Sequence, residues 1–260
     1  MENLTAITEM RLPDGRSWAV PNVHDAHMVW QEIFEGEVYR EAASALRAGG
    51  VVLDVGAHTG LSALYFAEQV SGLRIIAFEP APVTYACLMQ NIITHVPGAI
   101  CHPYALGDIG GEITFTYYPA TPSQSGRYAS RDADDRLTLD YLLQVGVDRE
   151  DAESVIADLH VGEVMTVPMH TVSDVIVDDG LDRIALLKVD VERAELDVLT
   201  GINDADWPRI DRVIVEVHDL GERLEKVRRI LSGHGFDVTA RKESWLSDSE
   251  LWTVRAARVD

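Results

Sequence analysis

The chain has 260 residues, a formal net charge of −21 at pH 7 and a pI near 4.7. Apolar residues make up 47% and charged residues 25%, which is the balance of a globular protein with a sizeable core. An acidic surface of this strength repels phosphate backbones and anionic lipid surfaces, so we expect neither nucleic acid nor membrane as a partner. A small neutral or cationic ligand suits this field.

The cysteines and the start of the chain indicate where the protein works. The two cysteines, Cys87 and Cys101, form no CxxC pair and no metal-like cluster. Residues 1–16 show no leader pattern, and no apolar run approaches the ~18 residues of a membrane span. We therefore expect a cytoplasmic protein with reduced thiols.

Residues 1–48 predict a hairpin followed by a helix, which we interpret as a cap on the main domain. The stretches Met10–Leu12 and Trp18–Val20 flank Pro13-Asp14-Gly15, a turn signal. From His27 to Leu46 the apolar residues recur with a helical period, and Gly49-Gly50 ends the helix. The apolar face of this helix fits either the core or the surface of a homodimer.

Residues 49–260 alternate between short apolar runs and helical segments. This rhythm predicts a doubly wound, Rossmann-like α/β fold with a mainly parallel sheet. The last two runs have no helix between them, so we expect an antiparallel hairpin at one edge. The predicted strands are Val51–Val55, Leu73–Phe78, Ala99–Tyr104, Glu112–Tyr118, Ile184–Val189, Arg212–Val217, Phe236–Ala240 and Trp252–Ala256.

One region, at about 119–160, interrupts this rhythm. It begins with a stretch rich in Pro, Ser, Gly, Asp and Arg, and two short helices follow near Asp134–Val145 and Asp148–His160. A long excursion inside a compact domain is typical of a lid or a substrate loop. We interpret it as a lid-like insertion, while Ser123–Tyr128 fits a solvated loop equally well.

The first strand leads into a glycine-containing turn, Asp54-Val55-Gly56-Ala57-His58-Thr59-Gly60. Ligands of open α/β sheets bind beyond the carboxyl ends of the strands, and glycine lets the backbone approach them closely. The spacing differs from the G-x-G-x-x-G of dinucleotide enzymes, and Asp54 would repel a pyrophosphate. We therefore predict a cation-bearing ligand at Asp54, Gly56, His58 and Gly60. The alternatives are a loop-capping role for Asp54 and a surface position for His58.

The second strand ends in Phe78-Glu79-Pro80. A carboxylate at this position can accept both hydroxyls of a ribose, and Pro80 ends the strand. We expect Glu79 and Pro80 to contact the ligand. The alternative is that Glu79 only complements the dipole of the following helix.

These motifs, taken in order, resemble the FkbM family of class I methyltransferases. The resemblance covers roughly Glu32 to Phe236. The matching stretches are Glu32-Ile33-Phe34 with Tyr39, Asp54–Gly60, Phe78-Glu79-Pro80 with Asn91, Ala105-Leu106-Gly107-Asp108, Leu187–Glu192, Ala194-Glu195-Leu196 with Val198-Leu199 and Gly201, and Val215-Glu216.

The resemblance implies a seven-stranded sheet that ends in the edge hairpin, and methyl transfer from S-adenosylmethionine. The acceptors it implies are hydroxyl groups of small natural products or sugars. Arg193 stands where the family usually has Gly, and His58 stands where it often has Asn, which leaves the acceptor open. The rival interpretations are nitrogen or carbon methylation, a nicotinamide-dependent oxidoreductase, and a protein that binds the cofactor without turnover.

Candidate catalytic residues follow the later strands. His218 is our candidate general base because its ordinary pKa lies near working pH, with Asp190 and Glu216 as catalytic partners. Asp190 also suits the amino acid end of the cofactor, Asp108 the adenine, and Tyr39 a cover over the cofactor. We assign no metal ligand, although Asp190, Glu216 and His218 offer groups that bind divalent cations.

Overall fold

The computed structural model describes residues 7–242 and 250–258. The strands are β1 (Thr8–Arg11), β2 (Ser17–Val20), β3 (Val51–Val55), β4 (Arg74–Phe78), β5 (Ile100–His102), β6 (Ala105–Leu106), β7 (Gly111–Tyr117), β8 (Glu163–His170), β9 (Leu186–Val189), β10 (Arg212–His218), β11 (Phe236–Arg241) and β12 (Leu251–Arg258). The α-helices are α1 (Val23–Trp30), α2 (Arg40–Ser44), α3 (Leu61–Gln69), α4 (Pro82–His95), α5 (Arg131–Gln144), α6 (Arg149–Ile156), α7 (Val172–Asp178), α8 (Glu195–Thr200) and α9 (Arg223–Gly233).

The central sheet has seven strands in the order β11-β12-β10-β9-β3-β4-β5. Strands β10, β9, β3, β4 and β5 run parallel, and β12 lies antiparallel between β10 and β11. The predicted parallel sheet with a C-terminal antiparallel hairpin is therefore confirmed. The chain order changes direction at β3, which lies between β4 and β9, so a ligand crevice is expected above the carboxyl ends of these strands.

Both faces of the sheet are buried, which explains why its strands are continuously apolar. Val52 and Leu53 are neighbours on β3, yet Val52 belongs to one apolar cluster and Leu53 to the other. The first cluster includes Trp18 of the N-terminal hairpin, and the second includes Trp207 near the start of β10. The hairpin therefore packs into the same core as the sheet.

The single helix predicted from His27 to Leu46 is wrong. Helix α1 ends at Trp30, a π-helical turn spans Gln31–Glu35, and α2 starts only at Arg40. The break falls at Gly36, where a Cβ would lie 2.7 Å from the carbonyl oxygen of Glu32. The break brings Glu32 and Tyr39 to the carboxyl edge of the sheet.

A second, three-stranded sheet has the order β6-β8-β7. The sequence predicted β7 but neither β8 nor α7. Strand β8 contains Pro168, which argues against a strand, and its outward Val164 is exposed although it is apolar. The two helices of the insertion lie close to their predicted positions. No helix within residues 7–242 and 250–258 is long and apolar enough to cross a membrane.

Candidate active site

A cavity of about 1140 Å³ lies at the carboxyl ends of the central strands, where the cap and the insertion also contribute walls. Pockets for one small ligand usually measure roughly 300–1,000 Å³, so this cavity has room for a cofactor together with an acceptor. Eight of the residues predicted from the sequence line it: Tyr39, Gly56, His58, Glu79, Pro80, Asp190, Glu216 and His218.

Gly56 makes the closest backbone approach in this cavity. Its φ is +75°, and a Cβ at this position would lie 1.8 Å from the carbonyl oxygen of Asp190. The loop after β3 therefore passes directly over the end of β9, and only glycine fits between them.

We expect Gly56→Ala to lose cofactor binding and to destabilise the fold, because the backbone of Asp190 has to move. Gly98→Ala is the matched control, since Gly98 has a φ of +97° but no described atom within 4 Å of the added Cβ. The free energy of unfolding of the control should fall by only about 1–2 kcal/mol, which is the cost of a left-handed backbone for alanine. Thermal unfolding and calorimetric titration with S-adenosylmethionine compare the two variants. Equal losses in both would show that the clash at Gly56 is unimportant.

The Glu79 carboxylate is fixed by two backbone donors. The amide of Ala81 donates to Oε1 at 2.8 Å, and the amide of His58 donates to Oε2 at 3.1 Å. Burial raises the pKa of Glu79, while His58 and the two amides oppose this rise. The side chain is thus held at the cavity wall, where its remaining lone pairs can accept hydroxyl groups.

His58 joins this loop to the cap and to the insertion. Its Nε2 lies 3.3 Å from Oδ2 of Asp25 in α1, and Oδ1 of Asp25 accepts bonds from Ser123 and Thr121. Burial raises the pKa of Asp25, but His58 and Ser123 outweigh burial and hold it below its usual value. Burial lowers the pKa of His58, but Asp25 reverses the effect and raises it. Sequence reasoning missed Asp25 because an acid within a helix gives no sign of its distant partner.

A buried lysine neutralises the carboxylates beneath the cavity. Nζ of Lys188 lies 3.2 Å from Asp54, 3.4 Å from Asp190 and 2.7 Å from the carbonyl oxygen of Gly56. Burial opposes the charge on Lys188, but Asp54 and Asp190 outweigh burial and raise its pKa. The lysine therefore stays charged and holds the ends of β3 and β9 together.

Three residues predicted to bind the cofactor do not line the cavity. Asp54 is fully buried, and its carboxylate accepts a bond from Ser62 at 2.6 Å as well as facing Lys188. Gly60, with a φ of 95°, precedes the first residue of α3. The partner of Asp108 is Arg127, at 3.0 Å, and this arginine does line the cavity. Asp108 is therefore linked to the cavity through Arg127, whereas Asp54 faces the buried Lys188 beneath it.

Three carboxyl groups and one tyrosine hydroxyl lie close together at the cap side of the cavity. Burial and then Asp190 raise the pKa of Glu32 to about 8, and the Glu32 carboxyl is hydrogen-bonded to Glu216. Burial, Asp190 and Glu32 raise the pKa of Glu216 well above its usual value. The Tyr39 hydroxyl donates to Asp190 at 3.4 Å. Two adjacent carboxyls of this kind share a proton near neutral pH.

This shared proton predicts how stability changes with pH. A carboxyl whose pKa is raised on folding stabilises the protein fully below its unfolded pKa, and the contribution is lost as pH rises through the folded value. For Glu32 the loss falls between its ordinary 4.5 and about 8. We expect Glu32→Gln to flatten the stability curve in that window, whereas Glu35→Gln, an exposed control in the same turn, leaves it unchanged. Urea unfolding at several pH values measures this, and an unaltered curve in Glu32→Gln would contradict the shared proton.

His218 is held between two acids. Its Nδ1 lies 3.0 Å from Glu195 and its Nε2 lies 3.2 Å from Glu192. Burial lowers the pKa of His218, but Glu192 and Glu195 outweigh burial and raise it well above the usual value. The two acids therefore favour the protonated form of this side chain more than solvent does. Glu195 is fully buried and was assigned no role from the sequence.

The structure changes the composition of the candidate cation group. Ligand-type atoms of Glu192, Glu216 and His218 lie within 4.8 Å of one another, whereas Asp190 is paired with Lys188. Within the protein, His218 already has an acid on each ring nitrogen, and Glu216 shares a proton with Glu32.

Comparison with known proteins identifies the family. A family model described as the methyltransferase FkbM domain matches residues 54–238. The chain belongs to the FkbM methyltransferase family. FkbM methyltransferases are class I enzymes that use S-adenosylmethionine, and this assignment makes the chain a methyltransferase.

Relatives match along nearly the whole chain. The 31-O-demethyl-FK506 methyltransferase FkbM of Streptomyces tacrolimicus is 37% identical over 254 residues, which cover 97% of this chain and 98% of the relative. Methyltransferase sdnD of Sordaria araneosa is 29% identical and covers 99% of each chain. Among solved structures, magnesium protoporphyrin IX methyltransferase from Synechocystis PCC 6803 with bound cofactor is 11% identical. It has a TM-score of 0.46 and covers 91% of this chain and 83% of that one.

Proposed function

We propose that this FkbM methyltransferase methylates a hydroxyl group of a small natural product or sugar-like acceptor. The observation that carries the proposal is His218, which stands on the cavity wall with an acid on each ring nitrogen. Of the two acceptor types, the insertion favours the natural product. Leu137 and Tyr141 of helix α5, and Val145 directly after it, line the cavity and suit an apolar body better than a sugar.

The residues around the loop after β3 fit S-adenosylmethionine. The fixed carboxylate of Glu79 suits the ribose hydroxyls, and the absent Cβ of Gly56 leaves the backbone open beside it. Asp190 and the other carboxylates favour a ligand that carries an ammonium and a sulfonium. Tyr39, His58 and Pro80 complete this wall of the cavity. When bound, the cofactor supplies a methyl group on a positively charged sulfur.

The acceptor hydroxyl has to be held about 3 Å from the methyl carbon and relieved of its proton. Nε2 of His218 faces Glu192 on the cavity wall, so it is the nitrogen that can receive this proton once it is neutral. Because the pKa of His218 is raised, its neutral form becomes abundant only at a higher pH than for an ordinary histidine. A cationic ligand in the same cavity lowers the pKa of His218 and favours that form.

The acceptor class is tested with tritiated S-adenosylmethionine and three probes: 31-O-demethyl-FK506, methyl glucoside and benzylamine. We expect label to pass to the oxygen of the apolar alcohol, and far more slowly to the sugar. Label on the amine alone would replace the proposal with nitrogen methylation. Cofactor binding with no labelled product from any probe would favour a protein that binds without turnover.

A divalent cation is a second candidate feature, favoured by the grouping of Glu192, Glu216 and His218. Metal binding through Nε2 of His218 would leave its Nδ1 bond to Glu195 intact, an arrangement seen in many metal sites. Repeating the assay with EDTA, and again with added Mg²⁺, separates the two mechanisms. Full turnover in EDTA supports a base without a metal, and strict dependence on Mg²⁺ supports the cation.

A further inference from the structure

Helix α5 of the insertion covers the cavity but has little apolar packing of its own. Within its 14 residues, all of which the structure describes, the single buried side chain is Asp134. Its apolar residues Leu137 and Tyr141 are half-exposed and line the cavity. No apolar side chain of this helix is fully buried, so polar contacts contribute to its position over the site.

Asp134 supplies the polar contact of α5 that is itself buried. Its carboxylate accepts bonds from the amide of Ser130 at 2.9 Å and from the hydroxyl of Tyr118 at 2.8 Å, and it forms an ion pair with Arg193. Asp134 and Arg193 are each 7% exposed. Removing either partner leaves a buried charge without its counter-charge, so the pair resists opening as long as both remain.

The backbone at Arg193 directs two side chains to different parts of the site. Glu192 and Arg193 have φ values of 47° and 72°, an uncommon left-handed pair for residues other than glycine. Such a conformation persists only where its surroundings fix it. Here the amide of Arg193 donates to Glu195 at 2.9 Å, Glu192 contacts His218, and the guanidinium reaches Asp134.

We propose that Arg193 is a positioning residue for the acceptor compartment, since it locks α5 over the cavity through Asp134. The proposal rests on the proposed function only in assigning the covered space to the acceptor. The lock itself is a property of the protein without an acceptor and can be measured without one.

The test is amide hydrogen exchange of the full chain with saturating S-adenosylmethionine. The variants are Arg193→Met, which keeps length but not charge, Arg193→Lys, which keeps charge, and the isosteric Asp134→Asn. Asp132→Asn is the control, because Asp132 is an exposed acid in the same helical turn. Cofactor affinity is measured by calorimetry in parallel.

We expect exchange in residues 131–144 to be at least about tenfold faster in Arg193→Met and in Asp134→Asn, with β3 and β9 unchanged. Arg193→Lys should restore part of the protection, and Asp132→Asn should behave as wild type. A double variant that combines Arg193→Met with Asp134→Asn should resemble each single variant. Cofactor affinity should stay within about threefold in all of them.

Three results would overturn the proposal. They are unchanged exchange in 131–144, equal acceleration in β3 and β9, and additive effects in the double variant. Because no step uses an acceptor, failure of the lock is distinct from failure of methyl transfer, which the labelled-cofactor assay reports.

Discussion

His218→Gln is expected to lower turnover by roughly 10²–10⁴ while leaving the affinity for S-adenosylmethionine almost unchanged. Glutamine can still donate to Glu195 but cannot take a proton from an acceptor hydroxyl. The pair of acids around position 218 is retained, so the cavity should keep its shape. Initial rates with tritiated cofactor, together with calorimetry, measure the two quantities separately.

The pH profile gives this prediction its second readout. Because Glu192 and Glu195 raise the pKa of His218 against the effect of burial, the neutral base is scarce at neutral pH. Turnover of the wild type should therefore climb as pH rises beyond the ordinary histidine range, and this limb should vanish in His218→Gln. His27→Gln, at an exposed histidine of α1, is the control. It should keep both the wild-type turnover and its rise with pH. Unchanged turnover in His218→Gln would remove the base assignment.

Glu79→Ala is expected to weaken binding of S-adenosylmethionine by roughly a hundredfold or more. Each hydrogen bond to a charged group contributes about 1.5–3 kcal/mol, and we propose that the carboxylate accepts two ribose hydroxyls. The variant also frees the amides of His58 and Ala81, which loosens the loop around the site.

Two further variants separate the ribose contact from loop support. Glu79→Gln keeps an acceptor oxygen and should lose less affinity than Glu79→Ala. Glu112→Ala removes an exposed acid of β7 and should lose none. Affinity in Glu79→Ala equal to that of the wild type would show that this carboxylate does not hold the cofactor.

Much of the fold was predictable because its strands are buried on both faces. Val51–Val55 and Arg212–Val217 stand out as apolar runs, and the glycine loop after the first run marks the crevice. Strand β8 was missed because Pro168 and the exposed Val164 obscure its alternation. The π-helical turn was missed since the apolar period continues through Gln31–Glu35.

The sequence predicted many of the residues that lie at the site but not which of them contact one another. Asp54 lies near the carboxyl end of a strand, where a ligand-binding acid is expected, yet the strand register places Lys188 directly beside it. Arg193 and Asp134 are 59 positions apart, so their ion pair depends on how the insertion folds back. The raised pKa of His218 likewise arises from Glu192 and Glu195, which only the turn after β9 brings to it.

The crevice beside β3 is expected to bind S-adenosylmethionine for methyl transfer. Calorimetric titration of the purified chain with S-adenosylmethionine, and separately with NAD, tests it most directly. We predict binding of S-adenosylmethionine with a Kd of about 1–10 μM, or roughly −7 to −8 kcal/mol, and no measurable binding of NAD. Preference for NAD, or no binding of S-adenosylmethionine, would contradict this account.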